Sequence, residues 1–355
     1  MTRFALPFTV FVLSCFTGCV ALGPLTVARD RFDYTSAISE SWKRQTLLNL
    51  VKIRYADAPV FLDVASIITQ YAAQAQLGFG LSWFSLPPGD NQTVTGTGTY
   101  AERPTVTYAP MLGAKFTRSM MTPIPPAALF SLIQANWPAV FLFRLCVQAV
   151  NGVYNSTAAA IKAHPSDPDF YAVIEALQRL QQAGGMGLRV EGAKKGETLV
   201  VFQRRVDEAT EADRHLIRQK LGLNPDATEF RLAFGSVAQN DHEIAVLTRS
   251  MLDIMVELAA TGIDVPDSHV TEKRVLPSPP ATTGEEARLA PVLQVHSSSA
   301  QPTDAYVAVP YHGHWFWIDD RDFPSKRMFS FIMVLFTLVE TGEKEEAPIV
   351  TIPVG

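Results

Sequence analysis

The sequence predicts an α+β fold, a mixed or antiparallel sheet with packed helices behind an N-terminal export signal. Three observations predict it. Apolar residues recur at helical spacing in some stretches (Ile38, Trp42, Leu48, Val51, Tyr55) and alternate with period two in others (Leu77, Phe79, Leu81, Trp83). The two kinds of stretch intermix without a regular βαβ rhythm or an internal repeat. With 355 residues, 47% of them hydrophobic and 18% charged, the chain has material for one large core or two smaller ones.

The first element is a signal. Arg3 gives a positive start, Phe4 to Phe16 is almost wholly apolar, and the run is too short for a membrane-spanning helix. It closes in Phe16-Thr17-Gly18-Cys19, which resembles the bacterial lipobox, although Phe16 stands where Leu is common. The resemblance implies cleavage after residue 18 and acylation of Cys19, with residues 19–35 as lipidated tether. Cys15 is a competing acceptor, and an ordinary cleaved signal or an uncleaved anchor stays open. Gly18 and the length of the run favour Cys19. Val20 follows the cysteine, so an outer-membrane lipoprotein facing the periplasm is the default. Inner membrane and cell surface remain possible. Cys146 is then the one thiol of the body, and no internal disulfide can form. No second long apolar run follows, so the body is not expected to span a bilayer.

Residues 36–276 read as the main domain. A helix starts at Ser36 and ends near Asp57-Ala58-Pro59. Val60–Val64 reads as a strand, while Ala65–Gln76 also suits a helix. Leu77–Trp83 and Thr93–Tyr100 are strands about a turn at Pro87–Asp90, and Thr105–Tyr108 is another. Two glycines in a small-residue strand mark an edge or surface hairpin. Ala127–Asn136 and Val140–Val150 are helices, the second apolar all round and hence buried. A helix over Asp169–Ala183 stops at Gly184-Gly185. Strands Leu188–Val190 and Thr198–Phe202 flank a Gly192–Gly196 turn. Thr210–Leu221 is helical, Glu229–Gly235 a strand, and Glu243–Ala260 mainly helix. Residues 277–286 are a proline-rich loop or linker. The C-terminal segment, 287–355, reads β-β-β-α-β: Val292–Val295, Tyr306–Val309, Gly313–Ile318, Phe323–Val339 and Ile349–Val354.

Chemistry is sparse. His312 and His314, two apart on an expected strand, would point the same way and offer two metal ligands, with Asp319 and Asp320 nearby. Their aromatic neighbours Trp315, Phe316 and Trp317 suit sheet packing instead. The Asp319–Asp322 acids more simply cap the next helix through Asp322 or Ser325. Cys146 sits in the most apolar stretch, as a core residue rather than a nucleophile. No catalytic, cofactor or serine-elbow motif occurs; Gly184–Gly187 follows a helix, the reverse of a phosphate-binding order. The net charge of −5, without blocks, argues against nucleic acid. The first helix carries a polar and aromatic set, Trp42, Arg44, Arg54 and Tyr55 among it, that suits docking onto another domain or subunit.

Ser41–Tyr55 with Asp57, Pro59 and Phe61–Val64, and Trp315–Asp322 with Ser325-Lys326, resemble uncharacterised bacterial (proteobacterial-type) cell-envelope lipoproteins. The resemblance implies an envelope protein and assigns no activity or site residue. The leading expectation is a non-enzymatic lipoprotein held in the membrane by its lipid, which binds an envelope protein partner or supports assembly. The alternatives are an envelope hydrolase using His312, His314, Asp319 and Asp320, and a periplasmic carrier of lipid or apolar ligands.

Overall fold

Helix α1 (Leu22–Arg54) opens the described chain, and its Leu47, Leu50 and Val51 are completely buried. The computed structural model describes residues 22–82, 91–157, 165–191, 197–203, 208–277 and 292–339. The signal with Cys19, the turns at 87–90 and 192–196, residues 278–286 of the linker and the closing strand at 349–354 lie outside them. The helix begins ahead of Ser36, so the stretch expected as a tether is helical from Leu22. Pro24 falls in the first turn, where its missing N–H removes no helical hydrogen bond. At the other end Ala56 takes a left-handed backbone (φ 58°) and Asp57 N–H donates to Lys52 O at 2.8 Å, closing the last turn.

Next come β1 (Leu62–Ser82) and β2 (Asn91–Pro110), antiparallel along their whole length in a sheet of two strands, with one irregularity between Val64 and Ser66. Ala65–Gln76 is therefore strand. Its Ala and Gln favour helix locally, but the backbone groups of residues 66–76 pair with residues 97–107.

The main sheet runs β4-β3-β8-β7-β6-β5, built from β3 (Val147–Val150), β4 (Val153–Tyr154), β5 (Met186–Glu191), β6 (Glu197–Phe202), β7 (Glu229–Phe234) and β8 (Glu243–Thr248). Only β7 and β8 are parallel. Helices α2 (Pro126–Gln134), α3 (Ala139–Cys146), α4 (Pro168–Gln182), α5 (Glu208–Leu221) and α6 (Met251–Gly262) accompany it. A second sheet, β10-β11-β9, holds β9 (His296–Ser298), β10 (Ala305–Tyr311) and β11 (His314–Asp319), all antiparallel. Helix α7 (Asp267–Thr271) precedes it and α8 (Phe323–Val339) follows. The fold is α+β. Buried residues of both regions, Leu47 and Phe230 with Phe316 and Phe329, belong to one hydrophobic cluster.

The strands expected at Thr93–Tyr100 and Thr105–Tyr108 are one strand, β2, and three further boundaries differ from the sequence expectation. The helix expected over Val140–Val150 stops at Cys146, and the chain continues as central strand β3. Its end is capped from afar: the buried Arg249 guanidinium donates to Arg144 O and Leu145 O, both at 3.1 Å, and Asn155 Nδ2 donates to Arg144 O and Val147 O. The helix expected from Glu243 begins at Met251, after strand β8. Its start is a capping box in which Asp253 N–H donates to Ser250 Oγ and Ser250 N–H to Asp253 Oδ2. The strand expected at Val292–Val295 lies later, at His296–Ser298. Val295 instead bridges Ile263, with Val295 N–H donating to Gly262 O at 2.7 Å.

Candidate functional site

Two features meet at the C-terminal end of α1. The first is the root of the β1–β2 ribbon. Asn49, buried on α1, donates through Nδ2 to Val60 O at 2.8 Å and accepts from Val60 N–H at 3.0 Å. One helical turn earlier Gln45, its amide oriented to satisfy both groups, donates to Leu62 O at 3.3 Å and accepts from Leu62 N–H at 3.0 Å. Two side chains four apart on a helix thus act as a short partner strand. Met111 N–H donates to Phe61 O at 2.9 Å and closes the root from the β2 side. Beyond it, residues 95–99 and 105–110 are exposed, Val106 and Tyr108 among them.

The second feature is an aromatic and histidine cluster. Tyr55 Oη and His269 Nδ1 share a hydrogen bond of 2.7 Å, and the Tyr55 ring stands edge-on to Tyr311 and Phe316. His269, buried in α7, meets the His314 ring edge-on, with ring centres 4.7 Å apart. Tyr311 Oη donates to Asp57 Oδ2 at 3.0 Å, and Arg54 donates to Leu276 O at 2.7 Å. Burial pushes Tyr55 up to about 12. Burial, then the hydrogen bond to Asp57, does the same to Tyr311. Burial, then the neighbouring His314, lowers His269 below the ordinary histidine value, so it is neutral at pH 7. The Tyr311 hydroxyl, then the Ala58 N–H, lowers Asp57.

The hairpin explains why His312 and His314 do not act as a pair. Tyr311 pairs with His314 across a two-residue turn, and His312 (φ 47°) and Gly313 (φ 81°) both take the left-handed backbone such a turn needs. His312 is thus an exposed turn residue, off the strand. Asp319 pairs with Ala305 at the far end of β11. Its Oδ1 accepts from Arg321 N–H, Asp320 Oδ1 accepts from Lys326 Nζ at 2.7 Å, and Asp322 caps α8 through Ser325 N–H. The two acids are neither near the histidines nor free of partners. Among the described residues no three His, Cys, Asp or Glu are grouped to hold a metal ion.

The other singled-out residues are placed as follows. Trp42 packs against the core, Arg54 docks onto Leu276 beyond α7, and Tyr55 onto α7 and the β10–β11 hairpin of the same chain. Arg44 is exposed and pairs with Glu40 at 3.1 Å. These four present no common face. Cys146 is completely buried, its thiol pushed up to about 12 by burial. An open depression of about 360 Å3, lined by Pro138, Val140, Phe141, Val292, Phe323 and Pro324, faces solvent rather than enclosing a ligand.

Asn49 and Gln45 belong to the polar set of the first helix, but their tasks, like those of His269 and Tyr311, escape a reading of the sequence, because the partners lie 11 to 254 residues away or are backbone groups. The ribbon did leave a signal: from Ile67 to Leu81 the odd positions are mostly apolar and the even ones mostly small or polar. No protein-family model matches this chain, and no curated protein or solved structure shows significant similarity to it.

Proposed function

We propose that this chain is a membrane-anchored envelope lipoprotein without chemistry of its own, which supports assembly at the membrane through the β1–β2 ribbon. One observation carries the reading: a ribbon about 65 Å long, at 3.4 Å per residue, whose sheet has two strands among the described residues. A two-stranded hairpin is marginal alone in water, and long open edges recruit further strands. The double amide clamp at Asn49 and Gln45 supports it, since it fixes the ribbon rigidly to α1. The Phe16–Cys19 motif supports the anchor.

The test is the size of the protein in native membranes, compared with a variant whose residues 66–107 are replaced by a short turn, together with mass spectrometry of the mature N-terminus. The expected result is an acylated Cys19 and a large complex that falls to monomer without the ribbon. A monomeric full-length protein in gently solubilised membranes would overturn the assembly role, and an unmodified Met1 start would remove the anchor.

A further inference from the structure

We propose that the root of the ribbon carries a self-association face, and that a second copy of this chain covers it about a two-fold axis. The inference rests on the assembly reading above and names the partner at the ribbon.

The chain alternates between core and solvent where the ribbon leaves the body. On the β1 side Phe61 is buried and Leu62 exposed. On the β2 side Pro110 and Leu112 are exposed, and Met111 between them is buried. Phe61 turns inward onto Phe116 and Phe336, with ring centres 6.2 and 5.8 Å away. Residues two apart on a strand share a face, and so do directly paired residues. Leu62↔Pro110 and Val64↔Tyr108 are such pairs. Val106 precedes Tyr108 by two, and Leu112, still extended (φ −131°, ψ 164°), follows Pro110 by two. Six apolar residues thus lie together on the face turned away from the core, with Tyr108 56% and Leu112 71% exposed.

The opposite face of β2 is of another kind. Thr105, Thr107 and Ala109 are exposed as well, but they are polar or small. Both faces meet the same solvent, so exposure does not account for the difference. Among the described residues thirteen large hydrophobic side chains are exposed, and five of them, Val60, Leu62, Val106, Tyr108 and Leu112, fall at this root. Single exposed apolar side chains are ordinary on any surface, whereas a group of them marks a surface that something covers.

Charge and size identify the occupant. None of the six side chains is charged, and the Tyr108 hydroxyl is the one polar group among them. An acidic or a basic partner finds nothing to pair with there. A lipid surface is held by Lys or Arg beside the apolar residues, and the face has neither. What matches it is a second uncharged apolar face, and every copy of the chain supplies one. The exposed fractions leave roughly 500 Å2 open on one copy, near the upper end of the about 300–600 Å2 that a monomer shows in its largest patch. Doubled across a two-fold, this reaches the about 1,000 Å2 that a specific interface needs. A two-fold contact uses the same patch on both copies and therefore closes on itself. Two sheet faces packed in this way stand about 10 Å apart. Tyr108, the largest of the six, supplies the aromatic anchor on which such contacts chiefly depend.

The test uses the full-length protein carrying either of two C-terminal affinity tags, co-expressed, extracted in mild detergent and purified through one tag. The copy with the other tag should come with it, and sedimentation should give a mass of at least two chains. Leu62→Asp with Tyr108→Asp should cut recovery of the second tag at least about tenfold, because pairing would bury carboxylates against apolar groups. Thr105→Asp with Thr107→Asp, on the opposite face, should leave recovery unchanged. Near-ultraviolet dichroism of the body should be the same in all three proteins. Equal loss in both variants, or loss in neither, would overturn the face and leave the assembly reading standing. A large complex in which the two tags never meet would give the face to another protein, with the same consequence. A monomer would overturn both readings and leave the face to lipid.

Discussion

Asn49 exchanges two hydrogen bonds with the backbone of a single residue, Val60, at 2.8 and 3.0 Å, so one side-chain amide seats the start of the ribbon on α1. Asn49→Ala removes both partners of Val60 and leaves a small void beside buried Leu50. Val60 is half exposed and water can reach it, so the expected cost is about 1–3 kcal/mol, read from urea denaturation. The same variant should raise hydrogen exchange at residues 60–62. No change in either measurement would show that the clamp is not what holds the root.

Burial of His269, and then its neighbour His314, makes stability depend on acid. The folded value of His269 lies below its ordinary 6.5, so between the two values the unfolded chain binds the extra proton. This contribution is fully present above about pH 6.5 and is lost as the pH falls from there toward the lower folded value. Asp57, also lowered but from 3.8, acts in a separate and more acid window. Melting temperature should thus decline below pH 6.5, and His269→Gln should flatten that decline. An unchanged slope in the variant would assign the acid sensitivity elsewhere.

Gly262 ends α6 where the chain of Leu293 crosses it. A Cβ there would stand 2.7 Å from Leu293 O, which is backbone and cannot swing aside. Gly262→Ala should push apart the Ile263–Val295 bridge and lower stability by about 1–3 kcal/mol, measured by thermal unfolding. A neutral result would mean that the segment after 292 moves freely against α6.

Cys146 serves as a probe of the core. Its thiol is wholly buried and raised to about 12, so in a variant with Cys15 and Cys19 replaced by Ser the native protein should react with an aqueous disulfide reagent roughly a hundredfold more slowly than the denatured chain. Fast reaction in the native state would place the end of α3 near solvent.

Local pattern made much of the architecture legible. Phe323–Val339, an amphipathic helix with the capping acids Asp319–Asp322 before it, stands in the structure with the expected bounds. The helix expected over Asp169–Ala183 stands at Pro168–Gln182 and the strand expected over Thr198–Phe202 at Glu197–Phe202, one legible by its helical period and the other by its β-branched run. Val140–Val150 was not, because residues apolar on every side suit a buried helix and a central strand equally, and the cap that divides them comes from Arg249 and Asn155. The Ser250-x-x-Asp253 box marks the start of α6, while the apolar run before it suits a helix as well as strand β8.

What the sequence by itself determined are the periods, the Phe16–Cys19 motif, and the charge-free stretch from residue 72 to 101 broken only at Asp90. Tertiary structure decided that Ala65–Gln76 is strand antiparallel to β2, and that Tyr55 meets a histidine 214 residues away. The reason is the range of the interactions. Period and capping act over a few neighbouring residues, whereas a strand is made by backbone hydrogen bonds to a distant partner, and a side-chain amide such as Asn49 acquires its task only when the fold brings Val60 within reach.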